Sequence, residues 1–320
     1  MPQARGSQTS TILVEESTYG ADPGAPDAQQ LYVVRNTLAS NQNLLQSNTL
    51  STSRERQSPI AGNIAVSGDI EFELGAESMG TILKHVLGSN TTSGSDPYTH
   101  TMTLGDLPVG FIIEKDYGAN ITNRYEKFNG CRVASAAFNF PNEGVPTATL
   151  SIIGATSVMG TSSIDATVTD NGHTSFSAFD ASIEEGGSSI AYVESVEFTV
   201  DNELDDSAYV VGGSGVRRAL PEGFSTVSGT ITALFESDAL LTKAIAGTET
   251  SLKIALTRGT GLGSAGNEYM EFFIQQLQLE RTSAPIEGPG GLKLTMPFQA
   301  YISGSTSALQ TIVKNAVATI

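Results

Sequence analysis

With 320 residues the chain has room for two domains of ordinary size, each with its own core. Only 16% of it is charged, yet the formal net charge is −17 and no basic run exceeds Arg217-Arg218, which excludes a protein that grips nucleic-acid phosphates. A single cysteine, Cys131, excludes a disulfide framework, and no stretch approaches the ~20 apolar residues of a membrane-spanning helix.

Residues 1–10 are polar, lack the apolar core of a signal peptide and read as a flexible arm, so the chain is expected to act without crossing a membrane. A first domain follows over 11–157, then a Gly/Ser/Thr/Asp-rich linker over 158–175, a second domain over 176–302 and a tail over 303–320. Val66–Leu74 alternates cleanly, with Val66, Ile70, Phe72 and Leu74 on one side and Ser67, Asp69, Glu71 and Glu73 on the other, the period of a half-buried strand. Ala76–Leu87 sets Met79, Ile82, Leu83 and Val86 at helical spacing and stops at Gly88. Strands are expected over Gly110–Glu114, Arg132–Phe140 and Thr147–Ile153, with Ser93–Tyr98 and Tyr117–Arg124 as loops.

In the second domain, Val193–Val200 alternates, and Val227, Ile231, Ala233 and Phe235 point in where Ser228, Thr230, Thr232 and Leu234 point out. A short helix over Ser237–Ala246, with Leu240, Leu241 and Ile245, ends at Gly247. Further strands are expected over Leu252–Thr257, Tyr269–Leu279 and Leu292–Tyr301, and Leu309, Ile312, Val313 and Val317 of the tail fit one helical face.

The second domain rewrites part of the first. Tyr32-Val33, Leu38 and Asn41–Leu44 recur as Tyr192-Val193, Phe198 and Asp201–Leu204 at an offset of 160. Arg56, Gly62, Val66–Gly68 and Ile70 recur at 161, and Ile82, Lys84, Val86 and Gly88 at 159. Three collinear blocks predict a mainly β protein of two tandem homologous β-sandwich or barrel domains, each flanked by one short α-helix.

Catalytic chemistry is missing from this pattern. His85, His100 and His173 have no metal-ligand spacing, His85 reads as a surface or partly buried helix residue, and Cys131 as a small strand residue. Gly261–Gly266 formally matches G-x-G-x-x-G, but a strand follows it where a phosphate site needs a helix, so it reads as a hairpin loop. Gly212–Gly215 does not complete a nucleophile elbow, and Asp201–Asp206 lacks the glycine and distal glutamate of a calcium loop. No catalytic residue, metal or cofactor is expected, and the chain is read as a non-enzyme.

Several runs carry a family likeness. Glu16–Gly20, Tyr98–Thr101, Tyr125–Arg132, Leu220–Phe224, Gly261–Glu268 and Ile286–Pro289 resemble stretches of the tail tube proteins of long-tailed bacteriophages, and the texture extends over 11–301. The resemblance implies β-sandwich subunits with a flanking helix, similar in fold to the type VI secretion tube protein, which form rings stacked into a hollow tube for the genome. Relatives commonly carry one sandwich and close as hexamers. This chain carries two, so trimeric rings with pseudo-sixfold symmetry are expected.

The resemblance further implies that one sheet lines a lumen through which viral DNA slides without specific binding; Asp69, Glu71 and Glu73 are assigned to that lining or, with equal weight, to the outer surface. The long segments Asn41–Gln57 and Asp201–Val216 are assigned to ring stacking, through Leu44, Leu45, Leu50, Arg54, Arg56, Tyr209, Val210, Arg217 and Arg218. The helices are placed between ring neighbours through Met79, Leu83, Leu240 and Leu241. Tail terminator, tape-measure and tail-tip or baseplate proteins are the implied partners, the virion tail the location and the host cytoplasm the place of assembly. The competing readings are a tandem-sandwich surface adhesin or fibre and an acidic polysaccharide-active enzyme, the latter opposed by the absence of Trp.

Overall fold

Period-two alternation turns most of the chain into strand. The computed structural model describes residues 3–50, 52–286 and 288–320; Met1 and Pro2 of the arm, Ser51 of the first long loop and Glu287 of the Ile286–Pro289 run lie outside the described residues. In the first half the strands are β1 (Ser10–Glu15), β2 (Ala28–Leu31), β3 (Arg35–Asn36), β4 (Ala39–Leu45), β5 (Ile60–Glu73), β6 (Gly88–Gly94), β7 (Tyr98–Leu104), β8 (Phe111–Asp116), β9 (Tyr125–Phe140), β10 (Thr147–Gly154) and β11 (Thr156–Gly160). Helix α1 (Gly80–Leu87) follows β5. The second half holds β12 (Ala181–Glu185), β13 (Ser188–Ser189), β14 (Val193–Asp201), β15 (Thr226–Leu234), β16 (Thr250–Thr257), β17 (Tyr269–Leu279), β18 (Lys293–Ala300) and β19 (Leu309–Asn315), with α2 (Ala239–Ala246) after β15.

The two halves pair their strands in the same order, always antiparallel. The first runs β1–β8–β9–β10–β5–β4. The second runs β12–β16–β17–β18–β15–β14. β11 lies beside the opening of β9, and β19 beside the opening of β17.

β9 belongs to two layers. Its first part pairs with β8 and β11, and its last six residues lie between β10 and β14. The bulge that divides the two parts sits opposite Ser151/Ile152, where an extra residue bends the strand. The result is one long sheet, β4–β5–β10–β9–β14–β15–β18, which passes without a break from one half into the other.

The core fills the space between this sheet and the second layer. Ile70, Phe72, Phe138, Phe198, Ile231 and Phe298 from the long sheet belong to one buried cluster with Leu13, Ile113, Phe128, Ile254 and Phe272. At the joint of the halves, Phe138 stacks on Phe198 at 4.9 Å between ring centroids and meets Phe272 at 4.9 Å.

Four expectations are corrected. The helices begin at Gly80 and Ala239, later than Ala76 and Ser237; at Ala76 the carbonyl accepts a hydrogen bond from Asn315 Nδ2 at 2.7 Å. The tail is no helix: Leu309, Thr311, Val313 and Asn315 are buried alternately along β19, which lies between β17 and β7. An alternation that buries a Thr and an Asn has no apolar period to betray it. Similarly, the polar Gly88–Gly94 forms a hairpin with Tyr98–Leu104 on either side of the expected loop, held by backbone pairing and by contacts of the Ser89 hydroxyl with Thr103 and of the Thr92 hydroxyl with His100 Nδ1. Lastly, residues 158–175 are tied to the first half: Glu114 accepts from Ser163 Oγ at 2.5 Å and from the Ile164 amide at 2.9 Å, and Asp165 accepts from the Ala28 amide at 3.0 Å.

Both helices stop at glycine as expected, Gly88 with φ 96° and Gly247 with φ 63°. At Gly88 a side chain would also strike the Gly105 carbonyl.

Candidate assembly surfaces

Cross-strand register carries the outward positions of β5 across both halves. Opposed residues of an antiparallel sheet share a face, so Glu73 continues through Thr147, Asn139, Glu197, Thr230 and Pro297. The next row runs from Glu71 through Thr149, Ala137, Thr199, Ser228 and Gln299. A third takes Asp69 through Ser151, Ser135 and Asp201 to Thr226. This face is concave: a hollow of about 610 Å3 is lined by Asn139, Thr149, Glu197, Thr199, Ser228 and Glu280 among others.

Its chemistry is hydroxyl, amide and carboxylate. The cations Arg35 and Lys293 are each paired, with Glu71 at 3.3 Å and Glu194 at 2.6 Å. Asp69, Glu71 and Glu73 all stand on the face opposite the buried Ile70 and Phe72, half exposed, and Glu73 accepts a hydrogen bond from Ser175.

The two long segments meet. β4 and the start of β5 project as an arm on which Leu44 (64%), Leu50 (97%) and Ile60 (65%) are exposed; Leu45, Arg54 and Arg56 are exposed too. The second segment folds onto the stem of this arm: Tyr209 donates its hydroxyl to the Ile64 carbonyl at 2.8 Å, and the Ile64 amide donates to Gly215 O at 2.8 Å. Val210 and Arg218 are exposed, whereas Arg217 is buried and satisfied inside the chain, donating to the carbonyls of Asp206 at 2.8 Å and of Gly154 and lying over the Tyr209 ring. The carboxylates of Asp201 and Asp205 cap the amides of Glu203 and Ser207 at 2.9 Å each.

Of the helix residues, Met79, Leu83 and Leu240 are core side chains and Leu241 is half buried against the core. They hold the helices to their own halves; the large apolar residue that α2 exposes is Ile245, at 54%. His85, expected at or near the surface, is 3% exposed, packs edge-on against Phe111 and sets Nε2 2.9 Å from Glu15 Oε1. Burial holds its pKa below the ordinary value. Cys131 is buried in β9, and burial pushes its thiol pKa up.

Four of the familiar runs, Glu16–Gly20, Tyr98–Thr101, Tyr125–Arg132 and Leu220–Phe224, carry contacts within and between the halves, which sequence reasoning missed. Glu16 is buried and accepts from the amides of Gly20 at 2.8 Å and Gly130 at 2.7 Å, tying two of the runs together; burial pushes its pKa up to about 7. Arg132 donates across to Leu220 O at 2.8 Å and Glu222 Oε2 at 2.7 Å. His100, fully buried, sets Nε2 2.9 Å from Val317 O. Asn202 Nδ2 donates to Val86 O and Val133 O, at 3.1 Å each. The only hint of these roles in the sequence is that long polar side chains sit amid strand patterns.

No helix among the described residues is long and apolar enough to cross a membrane, and those residues hold no group of three or more His, Cys, Asp or Glu that could bind a metal ion. No curated protein matches the chain. A family model described as phage tail tube protein matches residues 6–300, and the chain accordingly belongs to the phage tail tube proteins, non-enzymatic structural components of the virion tail.

Proposed function

We propose that the two halves are copies of one unit, that three chains close a ring with pseudo-sixfold symmetry, and that stacked rings form the tube. The observation that carries this reading is the shared pairing order of the halves, joined by a sheet that runs on from one to the next. A closed ring needs one heterologous contact repeated about its axis, and β9 against β14 is such a contact, already made once within each chain.

The concave hydroxyl and carboxylate face supports its assignment as the lumen wall. A polyanion slides past such a wall without the phosphate contacts that would hold it. The arm around Leu44, Leu45, Leu50, Arg54 and Arg56, buttressed by the Tyr209–Arg218 segment, is assigned to contact with the next ring. Terminator, tape-measure and tip or baseplate proteins as partners, and assembly in the host cytoplasm, belong to the same reading. Electron microscopy of the concentrated protein tests it: rings or tubes with threefold symmetry and three chains per ring are expected, and six chains per ring would overturn the trimer.

A further inference from the structure

The joint between the halves has unfilled counterparts at the two ends of the long sheet. Inside the chain, Ser135–Phe140 pairs with Val196–Asp201, Phe138 opposite Phe198 and Ala137 opposite Thr199. The repeat offset of 160 puts Asn36–Asn41 in the place of Val196–Asp201. On the other side, Val66 faces Gly154 where Val227 faces Ala300, and Ile152 faces Val133 where Phe298 faces Leu279. This puts Arg281–Ile286 in the place of Ser135–Phe140, with Ala284 and Ile286 for Phe138 and Phe140.

One counterpart lacks a partner on one side, and the other pairs with no strand among the described residues. β3 and β4 pair with β5 alone. After the Glu280 amide donates to Pro297 O at 2.8 Å, residues 281–286 make no strand pairing among the described residues. Ala284 packs on the core as Phe138 does, while Ile286 is 81% exposed.

The helices show the same asymmetry. Seven of the eight residues of α1 are buried, and the second half helps to cover them: Asn202 and Asn315 donate to Val86 O and Ala76 O, and Ile320 lies against Gly80 with its carbonyl accepting from Lys84 Nζ at 2.9 Å. In α2 only Leu240 and Ala244 are buried, and Ile245 stands exposed in the place of Val86.

We infer that a second copy of this chain supplies both missing partners. Residues 281–286 of one chain pair antiparallel with 36–41 of the next, Ala284 opposite Leu38 and Ser283 opposite Ala39. The neighbour's Gln42, which holds the place of Asn202, comes to the Ile245 end of α2. The side chain of Asn36, whose Oδ1 accepts from the Leu38 amide at 3.0 Å, holds that edge donor until the partner arrives.

This joint differs from its template in one respect. Within the chain, the β6–β7 hairpin of the first half also pairs with β19 of the second, clasping the outer layer. The second half has only residues 247–249 between α2 and β16, so it has no hairpin to offer, and β11 keeps an open outer edge with Val158 55% exposed. Chain-to-chain joints are therefore paired in one layer and the joints within a chain in two.

The inference rests on the ring reading, and its test separates the two. Ala39→Cys and Ser283→Cys are combined in the full chain, which is concentrated, treated with an oxidant or a short bis-maleimide, and run on a denaturing gel. Covalent oligomers are expected from the double variant and from neither single variant; the buried Cys131 gives the background. Ile245→Asp, at an exposed position, is expected to keep the melting curve and to lower ring yield at least tenfold. Rings or tubes that form without the 39–283 bond overturn this joint and leave the ring reading standing. Protein that stays monomeric at every concentration overturns both.

Discussion

Lys84 and Lys243 occupy the same place in the two halves: each reaches from its helix to a glutamate at the end of its half's first strand, Glu15 at 2.8 Å and Glu185 at 2.6 Å. The sequence repeat aligned the lysines, but the glutamates lie outside its matched blocks and are aligned only by the strand order. A helix-to-strand ion pair in this position fixes how each helix lies on its own half.

Acid should expose the first of these pairs. The His85 imidazole 2.9 Å away above all, with Lys84 beside it, lowers the Glu15 carboxyl from 4.5 to about 2. A carboxyl lowered in the folded state adds stability that is present above pH 4.5 and lost as the pH falls toward 2. The Glu15 side chain is 43% exposed, so water screens part of the effect. The melting temperature of the native chain is expected to fall more steeply over that window than that of Glu15→Gln, the two curves converging at the acid end.

Phe138 should be among the costlier truncations. It is 2% exposed and touches Phe198 and Phe272 at the joint of the halves. Phe138→Ala is expected to cost about 3–5 kcal/mol in urea unfolding, through lost burial and the cavity left behind. Val211→Ala, at a fully exposed side chain, should stay within about 0.5 kcal/mol.

Removal of 303–320 should behave as loss of a core strand. Thr311 faces Phe272 on one side and Met102 on the other. Thr311→Pro deletes a ladder donor there and is expected to cost about 1–3 kcal/mol for the carbonyl left unpaired. Truncation after Ile302 is expected to give insoluble protein, and a soluble product with the native melting temperature would contradict the central role of β19.

Charge reversal tests the lumen. With Asp69, Glu71 and Glu73 all replaced by Lys, tubes are expected to assemble while DNA delivery slows or stops, since the wall then offers phosphate contacts. Normal infectivity of phage carrying that triple change would remove these residues from the lumen.

Stacking is tested by shortening the arm. Deletion of residues 44–52 takes away Leu44, Leu45 and Leu50 but no core residue among the described ones. Rings that no longer stack are the expected product, scored by sedimentation and microscopy, and tubes of normal length would free the arm of that role.

Local order was legible from the chain alone. The alternation of Val66–Leu74 and Thr226–Leu234, the helices ending at Gly88 and Gly247, and the limits of Tyr269–Leu279 all follow from side-chain periods of two and 3.6, which neighbouring residues set among themselves. What the linear pattern left open is which strand lies beside which. That β9 bends from one layer into the other and pairs with β14, and that His100, Arg132, Asn202 and Asn315 tie the halves together, depends on contacts between residues far apart in the chain. β19 shows a helical spacing of its apolar residues and the β6–β7 hairpin almost none; β19 is a strand because β17 and β7 on either side satisfy its backbone groups, and β6 because it pairs with β7. Burial of Met79, Leu83 and Arg217 is likewise an outcome of packing, because an apolar stripe or an arginine reads alike whether its own core or a neighbouring subunit covers it.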